Sequence, residues 1–395
     1  MIRVVIVGAG PAGVRCAERL AARAGVSVAL VGAEPVHPYN RVALSQYLAG
    51  DLDEPALITH SPRQLADRGV AWRPGVRVVS IDRAGKAITL QDGERLPYDA
   101  LVLATGARPV RLPVPGIDGP GVMAYRTLDD VRAMLAHAGT GGAAVVVGGG
   151  LLGLEAASGL ARRGASVTIL HAVDRLMERQ LDAAAAALLR QRLERQGIAV
   201  LTGAKTAAIE PGAVLLADGR RIPAGIVVMA VGIRPETTLA REAGLVVGRG
   251  VVVDASMRTG DPAVWAIGEC AEHDGLCIGL VAPALEQAEV AAAAILGEAR
   301  RYVAASDATA LKVAGAGVWS AGEVEGDDAI VMEDADAGQY RRLLVRDGRL
   351  VGAMLYGEVA DAPWYLRLIA QRQPIEAARA ALPFGPAFAP AEWAA

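Results

Sequence analysis

A pattern written twice constrains this chain more than any other feature. Val4-Val5-Ile6-Val7-Gly8-Ala9-Gly10-Pro11-Ala12-Gly13 returns as Ala144-Val145-Val146-Val147-Gly148-Gly149-Gly150-Leu151-Leu152-Gly153. Each copy is an apolar run, a GxGxxG turn, an alanine-rich stretch and a second apolar run. The spacing predicts a buried strand, a tight turn, a helix ending near Ala24 or Arg163, and a parallel strand at Val26–Val31 or Ser166–Leu170. A lone GxGxxG is weak evidence. Two copies, each in strand–turn–helix–strand order, make a chance match improbable.

Each copy is closed by a further apolar strand ending in glycine, at 98–106 and at 224–232. Such unbroken runs suit parallel strands buried on both faces. Hairpins through Asp92-Gly93 and Asp218-Gly219 precede them, over 87–96 and 213–222. The first copy resumes after the second: residues 263–271 form another strand running into Gly268-Glu269, followed by an alanine-rich helix to Leu296. One unit is thus inserted in another. From about Ala308 the pattern becomes alternating strands at 311–318, 329–333, 340–345 and 349–356, then a helix at 364–371 and a Pro/Gly-rich end at 383–390. The expected fold is α/β: two Rossmann-like dinucleotide-binding domains, the first split over 1–110 and 236–302, the second inserted at 111–235, plus a small C-terminal α+β domain at 308–395.

Composition removes several classes. With 53% apolar and 21% charged residues and a net charge of -3, the chain is expected to be cytoplasmic and soluble, with neither nucleic acid nor membrane as partner. Its N-terminus has no signal-peptide pattern, and no apolar run is long enough to span a bilayer. The three cysteines, Cys16, Cys270 and Cys277, form no CxxC pair and do not suffice for a four-thiolate iron–sulfur cluster or a structural zinc. Cys16 reads as a buried small hydrophobe, and a Cys270–Cys277 redox pair is disfavoured. Lysine occurs only at Lys86, Lys205 and Lys312.

At Gly8, Gly10 and Gly13 the missing side chain serves the turn, the approach of a pyrophosphate and helix–strand packing, while Pro11 and Ala12 open the helix whose amides face the phosphates. Glu34, or Ala33 one place earlier, stands where an acid would meet a ribose hydroxyl. The second turn, Gly148, Gly149, Gly150, Leu151, Leu152 and Gly153, should hold the nicotinamide nucleotide. There the strand ends at His171 rather than an acid, with Asp174 and Arg175 close by. An acid suits a free 2′-hydroxyl and an arginine a 2′-phosphate, so NADH and NADPH both stay open. His171 reads equally as a ligand and as an ordinary packed histidine.

Ala104-Thr105-Gly106, Arg126-Thr127 and Gly268-Glu269 resemble the FAD- and NAD-binding pyridine nucleotide–disulfide oxidoreductase family. Pro38-Tyr39-Asn40-Arg41-Val42-Ala43-Leu44-Ser45 is similar to its ferredoxin-reductase-like and nitrite-reductase-like branches, which lack a redox disulfide. Gly268-Glu269-Cys270-Ala271-Glu272-His273, Gly279-Leu280-Val281-Ala282-Pro283, Leu311-Lys312-Val313-Ala314-Gly315 and Ser320-Ala321-Gly322 look like the flavin portion of assimilatory nitrite reductase large subunits. The resemblance implies FAD and NAD(P)H as cofactors. It puts Arg41 and Arg126 beside the FAD phosphates or adenine, the Val78 backbone at the adenine, Glu269 on the ribityl chain, and Val281 and Gly232 at the cofactors. Two departures stand out. Gln46 occupies the place of a lysine that ferredoxin reductases carry near the flavin. Glu155, the candidate catalytic residue, resembles the glutamate that pairs with that lysine.

Because the iron–sulfur ligands of those large subunits are missing, the chain is not expected to reduce nitrite itself but to pass electrons to a separate nitrate or nitrite reductase. The alternatives are a ferredoxin or rubredoxin reductase of a monooxygenase system, and a flavin-binding assembly or regulatory protein without turnover. Oligomeric state stays open, a homodimer included. Seven acids and no base lie in 323–336, either a solvated face or a docking patch for an electropositive acceptor.

Overall fold

The computed structural model describes residues 1–139, 141–303, 309–313, 315–389 and 393. Strand β1 (Ile2–Val7) turns at Gly8–Gly10 into helix α1 (Pro11–Ala21) and returns as β2 (Val26–Val31), parallel to β1 in register Ile2↔Val26 to Val7↔Val31. The second copy repeats this as β3 (Ala143–Val147), α2 (Leu151–Arg162) and β4 (Ser166–Leu170). Helix α1 stops at Ala21, short of the expected Ala24, and Gly25 then turns the chain at φ 81°.

Two five-stranded parallel sheets result. The first runs Val264–Ala266, Ala100–Leu103, β1, β2, Val70–Arg73; the second runs Ala199–Leu201, β4, β3, Ile226–Met229, Val122–Ala124. The expected hairpins form the last two strands of three-stranded antiparallel sheets, at Ala87–Leu90 with Arg95–Pro97 and at Ala213–Leu216 with Arg221–Pro223. The fold is α/β with a small C-terminal α+β unit. Where the chain leaves the first sheet and where it returns, Ala107–Pro109 and Ile233–Pro235 pair antiparallel.

The expected strand at 263–271 is only Val264–Ala266, because Gly268 takes φ 75° and the backbone coils into a one-turn helix at Gly268–Cys270. Helix α3 (Val281–Ile295) follows and packs on α1 through Ala288, Ala291 and Ala292, residues small enough for close helix contact. The single strand expected at 311–318 is two, Thr309–Val313 and Ala316–Gly322, paired antiparallel; Ala308 and Ala314 lie outside the described residues. With Asp328–Asp334, Gln339–Arg346 and Arg349–Gly357 they make a five-stranded antiparallel sheet under helix Ala362–Gln371. The 383–390 stretch holds two short turns of helix, Leu382–Phe384 and Pro386–Phe388, and Pro390 lies outside the described residues.

The acidic stretch has a structural job. Asp328–Asp334 is an edge strand, with Val331 exposed and Ile330 and Met332 half-buried. Charge there discourages edge-to-edge pairing with another chain. Some of it is also neutralised internally, since Glu323 pairs with Arg346 and Asp328 with Arg379.

Candidate active site: a cleft shared by two dinucleotide turns

The two turns have the same construction. Gly8 has φ 112°, and a Cβ there would stand 2.1 Å from the Ala104 carbonyl oxygen; one on Gly13 would stand 1.9 Å from the Gly8 oxygen. Gly148, at φ 123°, would bring a Cβ to 2.2 Å from Ala230 O, and Gly153 to 2.0 Å from Gly148 O. These four glycines are therefore required by the protein's own packing. Gly10 and Gly150 are not: a Cβ on either meets no protein atom within 4 Å. They are the N-caps of α1 and α2, where backbone N–H groups face outward. A bare backbone at a helix N-terminus, kept bare for no packing reason, fits a phosphate drawn close to it. The residues present suit a dinucleotide at each turn.

A cleft of about 720 Å³ opens at the first turn. Gly8, Gly10, Pro11, Ala12, Gly13, Ala33, Glu34, Arg41, Ala104, Thr105 and Gly106 line it, as do Arg126, Gly268, Glu269 and Val281. Leu151, Leu152 and Glu155 of α2 form its far wall, so the helix of the second turn abuts the site of the first. The carboxyl ends of parallel strands meet at this crevice, which is where this kind of sheet binds ligands.

Charged groups ring the cleft in a connected order. Arg41 donates to Glu34 Oε1 at 2.6 Å and to the Arg126 carbonyl at 2.6 Å. Tyr39 OH donates to Glu34 Oε2 at 2.7 Å and accepts the Leu128 N–H at 3.2 Å. The Arg41 guanidinium also lies 5.0 Å over the Tyr39 ring. Arg126 sits just before a capping box, Thr127 with Asp130, that starts helix Leu128–Ala138. Its guanidinium donates to both Glu269 carboxylate oxygens through its two terminal nitrogens, Nη1 to Oε1 at 3.2 Å. Glu269 is aimed by the turn at Gly268, whose N–H donates to Gln287 Oε1 at 2.7 Å; that amide is 2% exposed, on the inner face of α3.

Glu155 stands apart from this network. Burial alone pushes its carboxyl up to about 7, and no lysine lines the cleft to offset it. The nearby Tyr125 hydroxyl is pushed up by its own burial and by the Glu155 charge.

Several expected site residues fall elsewhere. Gln46 is exposed on helix Leu44–Ala49, away from the cleft. Leu44 and Leu48 occupy the buried face of that helix, and a residue between them points the other way. Val78 opens strand Val78–Asp82 opposite Leu90, its side chain in the core and not on the cleft wall, because Pro74-Gly75 bends the chain between the two strands; Trp72 lines the cleft there instead. Gly232 is exposed beyond Ile226–Met229 with φ 106°, and Ile233 takes the lining position. His171 is 8% exposed and works as a prop: its Nδ1 accepts the Gly149 N–H at 3.0 Å, which leaves the ring proton on Nε2, 3.2 Å from Glu178. Arg175 is half-buried on the loop beyond β4, donating to the Leu181 carbonyl at 3.3 Å.

Trp72, Tyr125 and Gln287 escaped the sequence reading. Trp72 could have been found, since it nears the carboxyl end of a strand in the parallel sheet. Gln287 had a fainter signal, an amide on an otherwise alanine-lined helix face. The cysteines are free; burial pushes the Cys270 and Cys277 thiols up, and Cys270 donates to the backbone of Leu103 and Ile267 at 3.4 and 3.3 Å. Neither has the electropositive setting a reactive thiolate needs. No helix among the described residues is long and apolar enough to cross a membrane, and none of their acidic, histidine or cysteine side chains group to hold a metal.

Residues 2–294 match the pyridine nucleotide-disulphide oxidoreductase family, and 308–373 match the rubredoxin NAD+ reductase C-terminal domain. The chain is 41% identical to the nitrite reductase [NAD(P)H] of Bacillus subtilis, over 91% of this chain and 46% of that one. It is 36% identical to the assimilatory nitrate reductase electron transfer subunit of the same organism, over 95% and 50%. The chain thus spans about half the length of these two relatives. The solved putidaredoxin reductase–putidaredoxin complex superposes with TM-score 0.86 at 31% identity, over 94% of each chain. The chain belongs to the pyridine nucleotide-disulphide oxidoreductase family, and its cofactors are FAD and NAD(P)H.

Proposed function

We propose that this chain takes electrons from NAD(P)H through FAD in the shared cleft and delivers them to a separate redox protein, a nitrate or nitrite reductase. The observation that carries this is the common wall: Leu151, Leu152 and Glu155, on the helix that follows the second turn, line the cleft of the first. Two nucleotides bound at such turns would bring their reactive ends together there. When bound, FAD supplies hydride acceptance from the nicotinamide and one-electron release.

The chain's own residues do the rest. Gly10 and the amides of α1 receive the FAD pyrophosphate, with Arg41 and Arg126 as flanking cations. Glu34, held by Tyr39 and Arg41, faces the adenosine ribose. Glu269, set by Gly268 and Gln287, faces the ribityl chain. Gly150 and α2 receive the nicotinamide nucleotide. Glu155, protonated up to about neutral pH, presents an uncharged carboxyl that can hold or yield a proton at the nicotinamide end. Residues 1–110 and 236–302 act as the FAD domain, 111–235 as the NAD(P) domain and 308–395 as the C-terminal domain, in a cytoplasmic protein.

The choice of acceptor rests on the nitrite and nitrate reductase relatives. A ferredoxin-type acceptor is the second reading, supported by the putidaredoxin reductase likeness. The test is anaerobic titration of the FAD-loaded protein with NADH and NADPH, followed by addition of nitrate reductase or ferredoxins. Bleaching and reoxidation by nitrate reductase is the expected result. Reoxidation by ferredoxin alone moves the assignment to the second reading, and no bleaching by either nucleotide sinks both.

A further inference from the structure

Tyr125 carries a polar group that the protein itself leaves unfinished. It follows Val122–Ala124, the edge strand of the second parallel sheet, and precedes Arg126. Ligands of such sheets bind at this carboxyl end of the strands. The residue is 6% exposed, and its ring belongs to the core that holds Leu44, Leu48 and Leu154. Yet Tyr125 also lines the cleft, and its hydroxyl oxygen has no hydrogen-bond partner. Other buried hydroxyls among the described residues share that condition, on Tyr98, Ser158, Thr206 and Tyr302. None of those four lines the cleft.

The neighbours do not complete the bond. Ser45, the hydroxyl beside it, donates to the Val42 carbonyl at 3.3 Å instead. Glu155 is near enough for its charge to act on the phenol, without bonding it. Burial first, and then that charge, make the phenol hold its proton more tightly, so it remains a donor. A buried hydroxyl without a partner costs free energy, and phenylalanine would fill the same space without that cost. With core on the ring side and Glu155 beside the hydroxyl, the cleft is where an acceptor can arrive.

This wall is where the two units meet. Arg126, next in sequence, holds Glu269 of the first unit, while Glu155 belongs to α2 of the second. The adenosine end is set elsewhere, at Glu34 and Tyr39. A flavin ring offers carbonyl oxygens and ring nitrogens, acceptors that suit a lone phenol donor. We propose that the Tyr125 hydroxyl donates a hydrogen bond to an acceptor atom of the FAD isoalloxazine ring. This contact rests on the electron-transfer reading above for the place of the FAD, and adds a donor to it.

The Tyr125→Phe holoenzyme tests it, since the ring stays and only the hydroxyl goes. The resonance Raman bands that report hydrogen bonding at the carbonyls and ring nitrogens of the bound, oxidised flavin are expected to shift. FAD is expected to leave about fivefold faster on dilution, followed by recovery of flavin fluorescence. Ser45→Ala is expected to keep both readings at their wild-type values. Wild-type Raman bands in Tyr125→Phe overturn the proposal even if FAD leaves faster, because looser packing alone would do that. A Ser45→Ala spectrum matching that of Tyr125→Phe also overturns it, by giving the hydroxyl a partner within the protein. A raised KM for NAD(P)H as the only effect of Tyr125→Phe does so too, by placing the hydroxyl at the nicotinamide. The spectrum and the release rate need no turnover, so failure of electron transfer is a separate result.

Discussion

Arg126 and Glu269, 143 positions apart in the chain, face each other across the cleft in a two-point ion pair, with side chains only 15% and 23% exposed. One comes from the segment just inside the inserted unit and the other from the returning half of the first. Removing either leaves a partly buried charge alone. Arg126→Ala and Glu269→Ala should each destabilise the protein, and the double variant should lose less than the sum of the two, with a coupling of about 1 kcal/mol in a chemical-denaturation cycle. Additive losses would show that the pair contributes nothing to stability.

Glu155 should make stability depend on pH. Its carboxyl is pushed from an ordinary 4.5 up to about 7 by burial, so folding favours the protonated form. That preference is intact below pH 4.5 and is lost as pH rises through 7, at up to about 1.4 kcal/mol per unit. Glu155→Gln removes the ionisation. Its melting temperature should therefore gain on the wild type between pH 5 and pH 8, and a constant offset would rule out a perturbed carboxyl.

The turn glycines should separate by role. Gly13→Ala must push a methyl into the Gly8 carbonyl and should cost more than about 3 kcal/mol, or prevent folding. Gly10→Ala meets no protein atom. It should fold with stability changed by less than about 1 kcal/mol, yet retain FAD at least tenfold more weakly, as measured by flavin content after dialysis. Equal flavin retention would mean that the first turn does not approach the pyrophosphate.

Gln287→Leu takes the acceptor from the Gly268 N–H inside the core and should cost about 1–3 kcal/mol in urea unfolding. Gln287→Glu keeps an oxygen in place and separates loss of the bond from loss of shape.

Most of the fold could be read in advance because the α/β units announce themselves locally. Unbroken runs such as 226–229 with a glycine after them can be little other than buried parallel strands. What escaped depends on facts that sequence spacing does not carry. The reversal near Gly315 lies in a run of small residues with no Asp-Gly or Asn-Gly to mark it. Gln46 sat at the right distance along the chain but on the outward face of its helix. His171 read equally as a ligand and as a packed histidine, and the choice turns on its ring accepting the Gly149 amide, a contact that spacing does not show.

The antiparallel pairing of Ala107–Pro109 with Ile233–Pro235 has an architectural consequence. Neighbouring strands stand about 5 Å apart, so the chain departs and comes home through adjacent doorways. Everything between enters and leaves through this two-stranded stalk and packs back on the first unit through Leu44 and Leu48. Cutting it out and joining Pro109 to Ile233 would ask the remaining scaffold to bridge only one strand spacing. The inserted unit is thus spliced in at one seam of the sheet that receives it, and what anchors it beyond that seam is side-chain packing against Leu44 and Leu48 rather than further chain crossings.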